Sequence, residues 1–293
     1  VYFTRRVNTI GRLLPTASAF STESNFGMSE SRRTMTVPRF LAAKRSGRKL
    51  TMLTAYDYSL ARVVDEAGVD SVLVGDSLGM VMQGQPNTLP VTVDEIIYHT
   101  KCVCRAVQNA LVIADLPFPV NHLGVHKTIE LSARILKETG CHAVKLEGGA
   151  DQASVIEGLV RAGIPVMGHV GLRPQNVLMM GGYRVQRDGE VLLADATAAQ
   201  AAGAFGLVLE GIPSSLAKQV TDQLLIPTIG IGAGPDCDGQ VLVLHDMLGL
   251  TSGSVPKFAK AFCNLREIVA GAVGRYCDEV RQGSFPDSQH SYE

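Results

Sequence analysis

The 293-residue sequence contains no tryptophan, and aromatic residues make up only 5% of it. Proteins that bind single-stranded nucleic acid use aromatic side chains as stacking platforms for bases, so this class is disfavoured. Basic and acidic residues nearly balance, at 27 against 28, which argues against binding to nucleic acid or to an anionic membrane surface. No apolar run approaches the roughly 20 residues that span a bilayer. The composition therefore predicts no nucleic-acid partner and no membrane partner.

Several sequence motifs for cofactors and metals are also missing. No G-x-G-x-x-G follows the first predicted strand, and there is no P-loop. The six cysteines include no C-x-x-C pair, which argues against a zinc site. A chain of this length needs no disulfide framework, so we expect six reduced and mostly buried thiols. Such thiols indicate a reducing compartment.

The first 36 residues differ in composition from the rest. Residues 1–22 contain Arg5, Arg6, Arg12 and several hydroxyl side chains, and the first acidic residue is Glu23. Basic, hydroxylated and acid-poor segments are typical of organelle-targeting peptides, more mitochondrial than secretory. The alternative is an unstructured leader of no consequence. We predict a disordered or removable leader over 1–36, a catalytic domain over 37–293, and a mitochondrial location, or otherwise a cytoplasmic one.

Short apolar runs alternate with helix-like stretches from Leu50 onward. Apolar runs without polar alternation indicate strands buried on both faces, as in a parallel sheet. Helix signals lie between them, including a capping box at Thr92–Glu95. This pattern predicts an α/β protein with a single-domain (β/α)8 TIM barrel, the alternative being a doubly wound open sheet. The eight runs are residues 50–55, 71–75, 111–114, 142–146, 165–169, 206–209, 227–231 and 241–244.

Polar residues follow the predicted strands at their carboxyl ends, where barrel active sites are built. A single Asp after a strand often only caps the next helix. Several acids at one end of a barrel, however, repel one another unless a cation or a proton intervenes. The strand-end residues are Tyr56 and Asp57, Asp76 and Ser77, Asp115, Lys145 and Glu147, His169, Glu210, and His245 and Asp246.

Three of these acids suggest a metal site. Asp76, Asp115 and Glu147 supply hard carboxylate oxygens, which suit Mg²⁺ or a similar divalent ion. Because Mg²⁺ keeps open coordination positions, a chelating substrate can bind to it directly.

Lys145, Glu210 and His169 suggest substrate binding and proton transfer. Lys145 lies two residues before Glu147 and so points to the same face of its strand; we predict anion binding, the alternative being a surface or salt-bridge lysine. Glu210 ends an apolar run, where a raised pKa favours a general base; the alternative is a partner of the waters on the metal. His169 serves either as a satisfied core histidine or as a substrate contact.

Eleven short motifs occur along the chain in a fixed order: TAYDY at 54–58, VGDSLG at 74–79, TLPVT at 88–92, ADLPF at 114–118, VKLEGG at 144–149, GHVGL at 168–172, GGYRVQ at 181–186, LVLE at 207–210, IGIGAG at 229–234, DGQ at 238–240 and PKFAK at 256–260. With these motifs the sequence resembles the ketopantoate hydroxymethyltransferase (3-methyl-2-oxobutanoate hydroxymethyltransferase) family from about residue 38 to Tyr292. The rival interpretations are another metal-enolate barrel of the phosphoenolpyruvate mutase and isocitrate lyase group, and a non-catalytic binding homologue.

The resemblance implies a (β/α)8 barrel that transfers a hydroxymethyl group from 5,10-methylenetetrahydrofolate to 3-methyl-2-oxobutanoate. The product would be 2-dehydropantoate, on the route to pantothenate and coenzyme A, formed through a metal-stabilised enolate. By motif, Asp76 and Asp115 would ligate Mg²⁺, with Glu147 completing the set partly through water. Ser77 and Lys145 would hold the keto acid, with Asp76 and Asp115 also near it, and Glu210 would accept the proton. The family is commonly a homo-oligomer, often a decamer.

Overall fold

The computed structural model describes residues 33–251, 253 and 255–293. Most of the predicted leader, residues 1–32, lies outside the described residues. Helix α1 (Val37–Arg45) begins at the predicted start of the catalytic domain. It begins there because the Thr36 side chain accepts a hydrogen bond from the Arg39 backbone, and because Pro38 fits the first turn of a helix.

Eight parallel strands form a closed barrel in sequence order, and β8 pairs with β1. The predicted (β/α)8 barrel is confirmed, and the doubly wound alternative is wrong because the sheet closes on itself. The strands are β1 (Leu50–Thr54), β2 (Ser71–Val74), β3 (Leu111–Asp115), β4 (Ala143–Lys145), β5 (Val166–Gly171), β6 (Gly206–Glu210), β7 (Thr228–Ile231) and β8 (Gly239–Leu242).

Helices lie between the strands, except that the described segment 232–238 joins β7 to β8 without one. The predicted capping box is confirmed: Thr92 and Glu95 bond each other's backbone N–H groups. None of the described helices is both long and apolar enough to cross a membrane. The helices after α1 are α2 (Tyr58–Glu66), α3 (Leu78–Val81), α4 (Val93–Ala106), α5 (Val125–Thr139), α6 (Ala153–Arg161), α7 (Val177–Met180), α8 (Gly189–Ala201), α9 (Ser214–Gln223), α10 (Leu244–Met247) and α11 (Leu265–Gln282).

The eighth strand differs from its prediction. It ends at Leu242 rather than at residue 244, and His245 and Asp246 lie in α10. The apolar run 241–244 continues past the strand because Leu244 belongs to the packing between strands and helices, not to the barrel wall. An apolar run marks burial, and burial alone does not define where a strand ends.

The barrel interior is apolar at its amino end and polar at its carboxyl end. Phe40 of α1 closes the amino end and packs edge-to-face on Phe205, with ring centroids 5.6 Å apart. Side chains alternate along a strand, so a residue two positions after an inward apolar residue also points inward. The inward apolar residues Ile113, Ala143, Met167 and Val208 are followed two positions later by Asp115, Lys145, His169 and Glu210. Strand geometry thus brings these four polar residues together.

Candidate active site at the carboxyl end of the barrel

A buried ion pair lies at the centre of the site. The Lys145 ammonium is 2.8 Å and 2.9 Å from the two carboxylate oxygens of Asp115, and both side chains are almost fully buried. Burial lowers the pKa of Lys145, but the charges of Asp115 and Glu147 outweigh it and raise the pKa overall. Lys145 therefore stays cationic inside the barrel. Of the alternative, a surface or salt-bridge lysine, the surface position is wrong, whereas the salt bridge is present, with Asp115.

Asp76 lies beside this pair, immediately after β2. Its backbone N–H donates to Asp115 Oδ2 at 3.3 Å, and its own Oδ2 accepts a hydrogen bond from Gln175 Nε2 at 2.9 Å. Burial, followed by the charge of Asp115, raises the pKa of Asp76 to about 7. The next residue, Ser77, shares a hydrogen bond of 2.8 Å with the hydroxyl of the buried Tyr56.

Glu147 follows β4 and is held from one side only. Its Oε2 accepts a hydrogen bond from the Gln175 backbone N–H at 3.0 Å, whereas its buried Oε1 has no hydrogen-bond partner among the residues that the structure describes. Burial, followed by the charge of Asp76, raises the pKa of Glu147 well above its usual range. A buried carboxylate oxygen without a partner is costly, which marks this position as one where a ligand would be stabilising.

His169 and Glu210 form the other side of the site. His169 Nε2 lies 3.3 Å from Glu210 Oε2, and its Nδ1 lies 3.9 Å from Glu147 Oε1, but neither contact has hydrogen-bond geometry. Burial lowers the pKa of His169 well below its usual value, so the ring is neutral. Burial raises the pKa of Glu210 to about 7, against an opposing effect of Lys145. Glu210 retains 18% exposure and so faces the open part of the site.

Gln175 is a site residue that the strand-end pattern did not predict. It lies four residues beyond β5, and its side chain bonds both Asp76 and the Leu116 carbonyl while its backbone bonds Glu147. Because it reaches the site from a loop, no strand periodicity indicates it. Only its place shortly after a strand end is a signal.

Three of the strand-end residues do not join the site. Asp57 caps α2, since its side chain accepts a hydrogen bond from the Leu60 backbone at 2.9 Å. Asp246 accepts a hydrogen bond from Thr251, and His245 lies on α10 with its ring 5.7 Å from Tyr56. For Asp57 the structure therefore bears out the simpler explanation, a helix cap.

The carboxylates fit an oxygen-liganded cation in their chemistry. Asp76, Glu147 and Glu210 are each influenced by the charge of Lys145, and burial together with mutual repulsion raises the pKa of Asp76 and Glu147. The unpartnered Glu147 Oε1 adds a free hard donor. Within the described residues, however, no three His, Cys, Asp or Glu side chains are already grouped as a metal site, and Asp115 is engaged by Lys145.

The segment after α7 packs next to the site. Tyr183 is about half exposed and donates a hydrogen bond to the Met80 sulfur at 3.7 Å, while the Gln186 backbone N–H bonds Gly211 next to Glu210. Burial and the nearby charges of Asp76 and Glu210 raise the pKa of Tyr183. This segment therefore lies beside the site's open edge.

A closed parallel barrel whose strand ends hold buried carboxylates, a lysine and a histidine defines a TIM-barrel enzyme. The family model described as ketopantoate hydroxymethyltransferase matches residues 34–288. The chain belongs to this family of one-carbon transferases. The enzyme class expected from the motifs is confirmed.

Curated relatives agree over nearly their whole length. The 3-methyl-2-oxobutanoate hydroxymethyltransferase of Rhodopirellula baltica is 55% identical over 266 residues, covering 90% of this chain and 99% of the relative. The protein of the same name from Pelobacter propionicus is 52% identical over 268 residues, covering 90% and 100%.

Solved structures with the same fold are more distant in sequence. Phosphoenolpyruvate phosphomutase from Streptomyces platensis subsp. rosaceus superposes with a TM-score of 0.59 at 15% identity, covering 85% of this chain and 88% of that one. A 2,3-dimethylmalate lyase gives 0.56 at 18% identity, covering 87% and 91%. At this identity the likeness shows the fold alone. The rival group thus shares the barrel, while sequence identity assigns the family.

Proposed function

We propose that the protein transfers a hydroxymethyl group from 5,10-methylenetetrahydrofolate to 3-methyl-2-oxobutanoate, giving 2-dehydropantoate for pantothenate and coenzyme A synthesis. Family membership supports the keto acid as substrate. The observation that carries the mechanism is Glu210, a carboxylate with a pKa of about 7 at the open edge of an otherwise buried polar site. A pKa near neutrality is what a general base requires.

Lys145 and Ser77 bind the keto acid in this proposal. The Lys145 ammonium lies in the barrel centre and supplies the positive charge for the substrate carboxylate. The Ser77 hydroxyl is oriented by Tyr56 and supplies a hydrogen bond. Asp76 and Asp115 border the same space, and Asp115 holds the Lys145 ammonium in place.

Asp76 and Asp115 would hold Mg²⁺ or a similar divalent ion, with Glu147 completing the set partly through water. When bound, the cation supplies Lewis-acid chemistry, polarising the keto oxygen and stabilising the negative charge of the enolate. Gln175 bonds both Asp76 and Glu147 and so keeps their carboxylates directed at this position.

Glu210 removes the C3 proton of the keto acid and passes it to the folate nitrogen that releases the methylene carbon as an iminium. The carbanion-like C3 attacks that methylene carbon. Water then replaces the second folate nitrogen on the same carbon, which leaves the hydroxymethyl group on C3 and releases tetrahydrofolate. The neutral His169 ring lies 3.3 Å from the Glu210 carboxylate, contacts the substrate and limits the directions from which the base can approach. Tyr183 and Met80 border the entrance through which the donor would reach the site.

Proton exchange isolates the first half of this reaction. The purified protein is incubated with 3-methyl-2-oxobutanoate in D₂O, with Mg²⁺ or with EDTA, and the C3 proton is followed by NMR without folate. We expect exchange that depends on the metal. If a protein shown to bind Mg²⁺ gave no exchange above the buffer rate, the assignment of this keto acid as substrate would be refuted.

We also propose that the protein is a homo-oligomer, up to the decamer that the family resemblance implies. Helix α11 supports this, because its apolar side chains Ile268, Val273 and Tyr276 are each more than half exposed. The outer faces of β1 and β8 are open at Thr51 and Gln240, where the described chain supplies no covering helix. A second copy provides an apolar helix for such a face.

The predicted leader and its mitochondrial address stay predictions. The relatives are bacterial proteins and lend the mitochondrial location no support, and residues 1–32 lie outside the described part of the chain. Sequencing the amino terminus of protein isolated from its native source would test both the leader and the boundary after residue 36.

A further inference from the structure

Arg173 connects three segments at the rim of the site. Its guanidinium makes a two-pronged ion pair with Asp151, at 2.8 Å and 3.0 Å, and a further bond to Asp195 at 3.1 Å. Asp151 lies in the loop after β4, Arg173 in the loop after β5, and Asp195 on helix α8. The Arg173 and Asp195 side chains are only 17% and 16% exposed, so this pair is shielded from solvent, whereas Asp151 is 47% exposed.

Both carboxylates also hold the backbone of the loop after β4. Asp151 accepts a hydrogen bond from the Gly149 N–H at 3.0 Å, and Asp195 accepts one from the Ala150 N–H at 2.9 Å. The packing is tight, since a Cβ on Gly149 would lie 2.3 Å from the Asp195 Cβ. Burial raises the pKa of Asp151, but its bonds with Arg173 lower the pKa overall, as expected for a carboxylate in an ion pair.

The two loops joined by Arg173 carry the groups that meet in the candidate metal site. Glu147 lies two residues before Gly149, and Gln175 lies two residues after Arg173. The Gln175 N–H bonds Glu147 across the gap between the loops, and its side chain bonds Asp76. A shift of either loop therefore changes the distance between Glu147 and Asp76.

We propose that Arg173 is a positioning residue for the candidate metal site: by joining Asp151 and Asp195 it fixes the two loops that carry Glu147 and Gln175. The inference rests on the proposed function, because it concerns the proposed cation site. Lysine cannot replace this arginine fully, since an ammonium is a point charge and cannot make the two-pronged pair. Residues that orient metal ligands in this way typically change metal affinity by about 10- to 100-fold when they are altered.

The test measures the binding of Mg²⁺ alone by isothermal titration calorimetry, with Arg173→Met and Arg173→Lys in the full chain. We expect both variants to bind Mg²⁺ about 10- to 100-fold more weakly than the unaltered protein. Raising Mg²⁺ should restore C3 exchange in Arg173→Lys, because weak binding is overcome by mass action. If Arg173→Met does not fold, the Mg²⁺ affinity of Arg173→Lys alone tests the proposal.

Two control variants separate positioning from stability. Arg161→Met removes an exposed arginine with a loose pair to Glu157 at 3.7 Å and should leave Mg²⁺ affinity unchanged. Thr92→Ala weakens a distant helix cap and should lower the melting temperature without weakening Mg²⁺ binding. If both Arg173 variants bound Mg²⁺ with an affinity within threefold of the unaltered protein, the inference about Arg173 would be overturned, but the proposed function would not. An unaltered protein that binds no Mg²⁺ would overturn the proposed function with it.

Discussion

Replacing Glu210 by Gln tests the proposed base with almost no change of shape. Gln keeps the size and hydrogen-bonding capacity of the side chain but cannot accept the C3 proton. We expect the rate of C3 exchange to fall by about 10²- to 10⁴-fold, the range for loss of a general base. Mg²⁺ binding should persist, because Glu210 is outside the proposed ligand set of Asp76, Asp115 and Glu147.

The pH dependence of exchange follows from the pKa of Glu210, which burial raises to about 7. The base works only when ionised, so the exchange rate of the unaltered protein should rise tenfold per pH unit below pH 7 and level off above it. In Glu210→Gln this rise should disappear, because the titrating group is gone. A residual rate with the same pH profile would assign the titration to another group.

The same pKa shift predicts that Glu210→Gln is more stable than the unaltered protein at high pH. With a pKa of about 7 in the folded protein against 4.5 normally, the folded state keeps a proton that the unfolded chain releases, so Glu210 destabilises the fold as pH rises from 4.5 to 7. The full pKa shift corresponds to a destabilisation of the fold by about 3 kcal/mol above pH 7, and this destabilisation vanishes below pH 4.5. Without metal, Glu210→Gln should therefore melt roughly 5 °C higher at pH 8, but not at pH 4.

NMR exchange in D₂O and calorimetric melting in EDTA provide the two readouts. Glu157→Gln is the matched control, since Glu157 is exposed on α6 and far from any proposed chemistry. It should change neither the exchange rate nor the pH dependence of melting. The reasoning is refuted if Glu210→Gln keeps exchange within threefold of the unaltered protein. It is also refuted if the variant loses activity but shows no gain in stability at pH 8, because the raised pKa would then be wrong.

Three other changes test separate parts of the structure. Asp115→Ala should weaken the binding of both Mg²⁺ and the keto acid, as measured by calorimetry. It should also destabilise the fold by about 3–5 kcal/mol, because the buried Lys145 loses its partner. Unchanged affinity for the keto acid would contradict the chelate model. Thr92→Ala should lower the free energy of unfolding by about 1 kcal/mol, measured with denaturant, because it removes the hydrogen bond to the Glu95 N–H. A denaturation midpoint equal to that of the unaltered protein would contradict the role of Thr92 as a helix cap. Val273→Asp on α11 should give a smaller species by light scattering if this helix contacts a second copy; an unchanged mass would place the interface elsewhere.

Strand geometry explains why so much of the site could be predicted from the sequence. The runs 111–114, 142–146 and 206–209 coincide with strands within one residue at most ends, and alternation then fixes which residues point inward. Once Ile113 and Val208 are inside the barrel, Asp115 and Glu210 must be inside as well. The inward position of these strand-end residues can therefore be predicted from the strand register alone, which the apolar runs supply.

The parts that sequence reasoning missed are those that loops or local competition decide. Gln175 reaches the site through a turn after β5, and Arg173 acts through contacts with residues about 22 positions away in either direction, Asp151 and Asp195. No periodicity encodes such contacts. Asp57 shows local competition: an acid at a strand end can face the site or cap the next helix, and here it caps α2 by accepting a hydrogen bond from the Leu60 backbone N–H.

The two ends of the barrel interior make opposite contributions to the protein. At the amino end, inward residues such as Ile113 and Met167 fill the barrel with apolar packing, which stabilises the closed sheet. Two positions further on, the same strands carry Asp115, whose buried charge needs the Lys145 ammonium as a partner, and His169, whose ring nitrogens lack hydrogen-bond partners among the described residues. An apolar pair in place of Asp115 and Lys145 would be expected to pack at least as stably. The polar end is therefore best explained by the proposed chemistry: a site for the proposed anionic substrate keeps charged groups that a purely structural core would exclude.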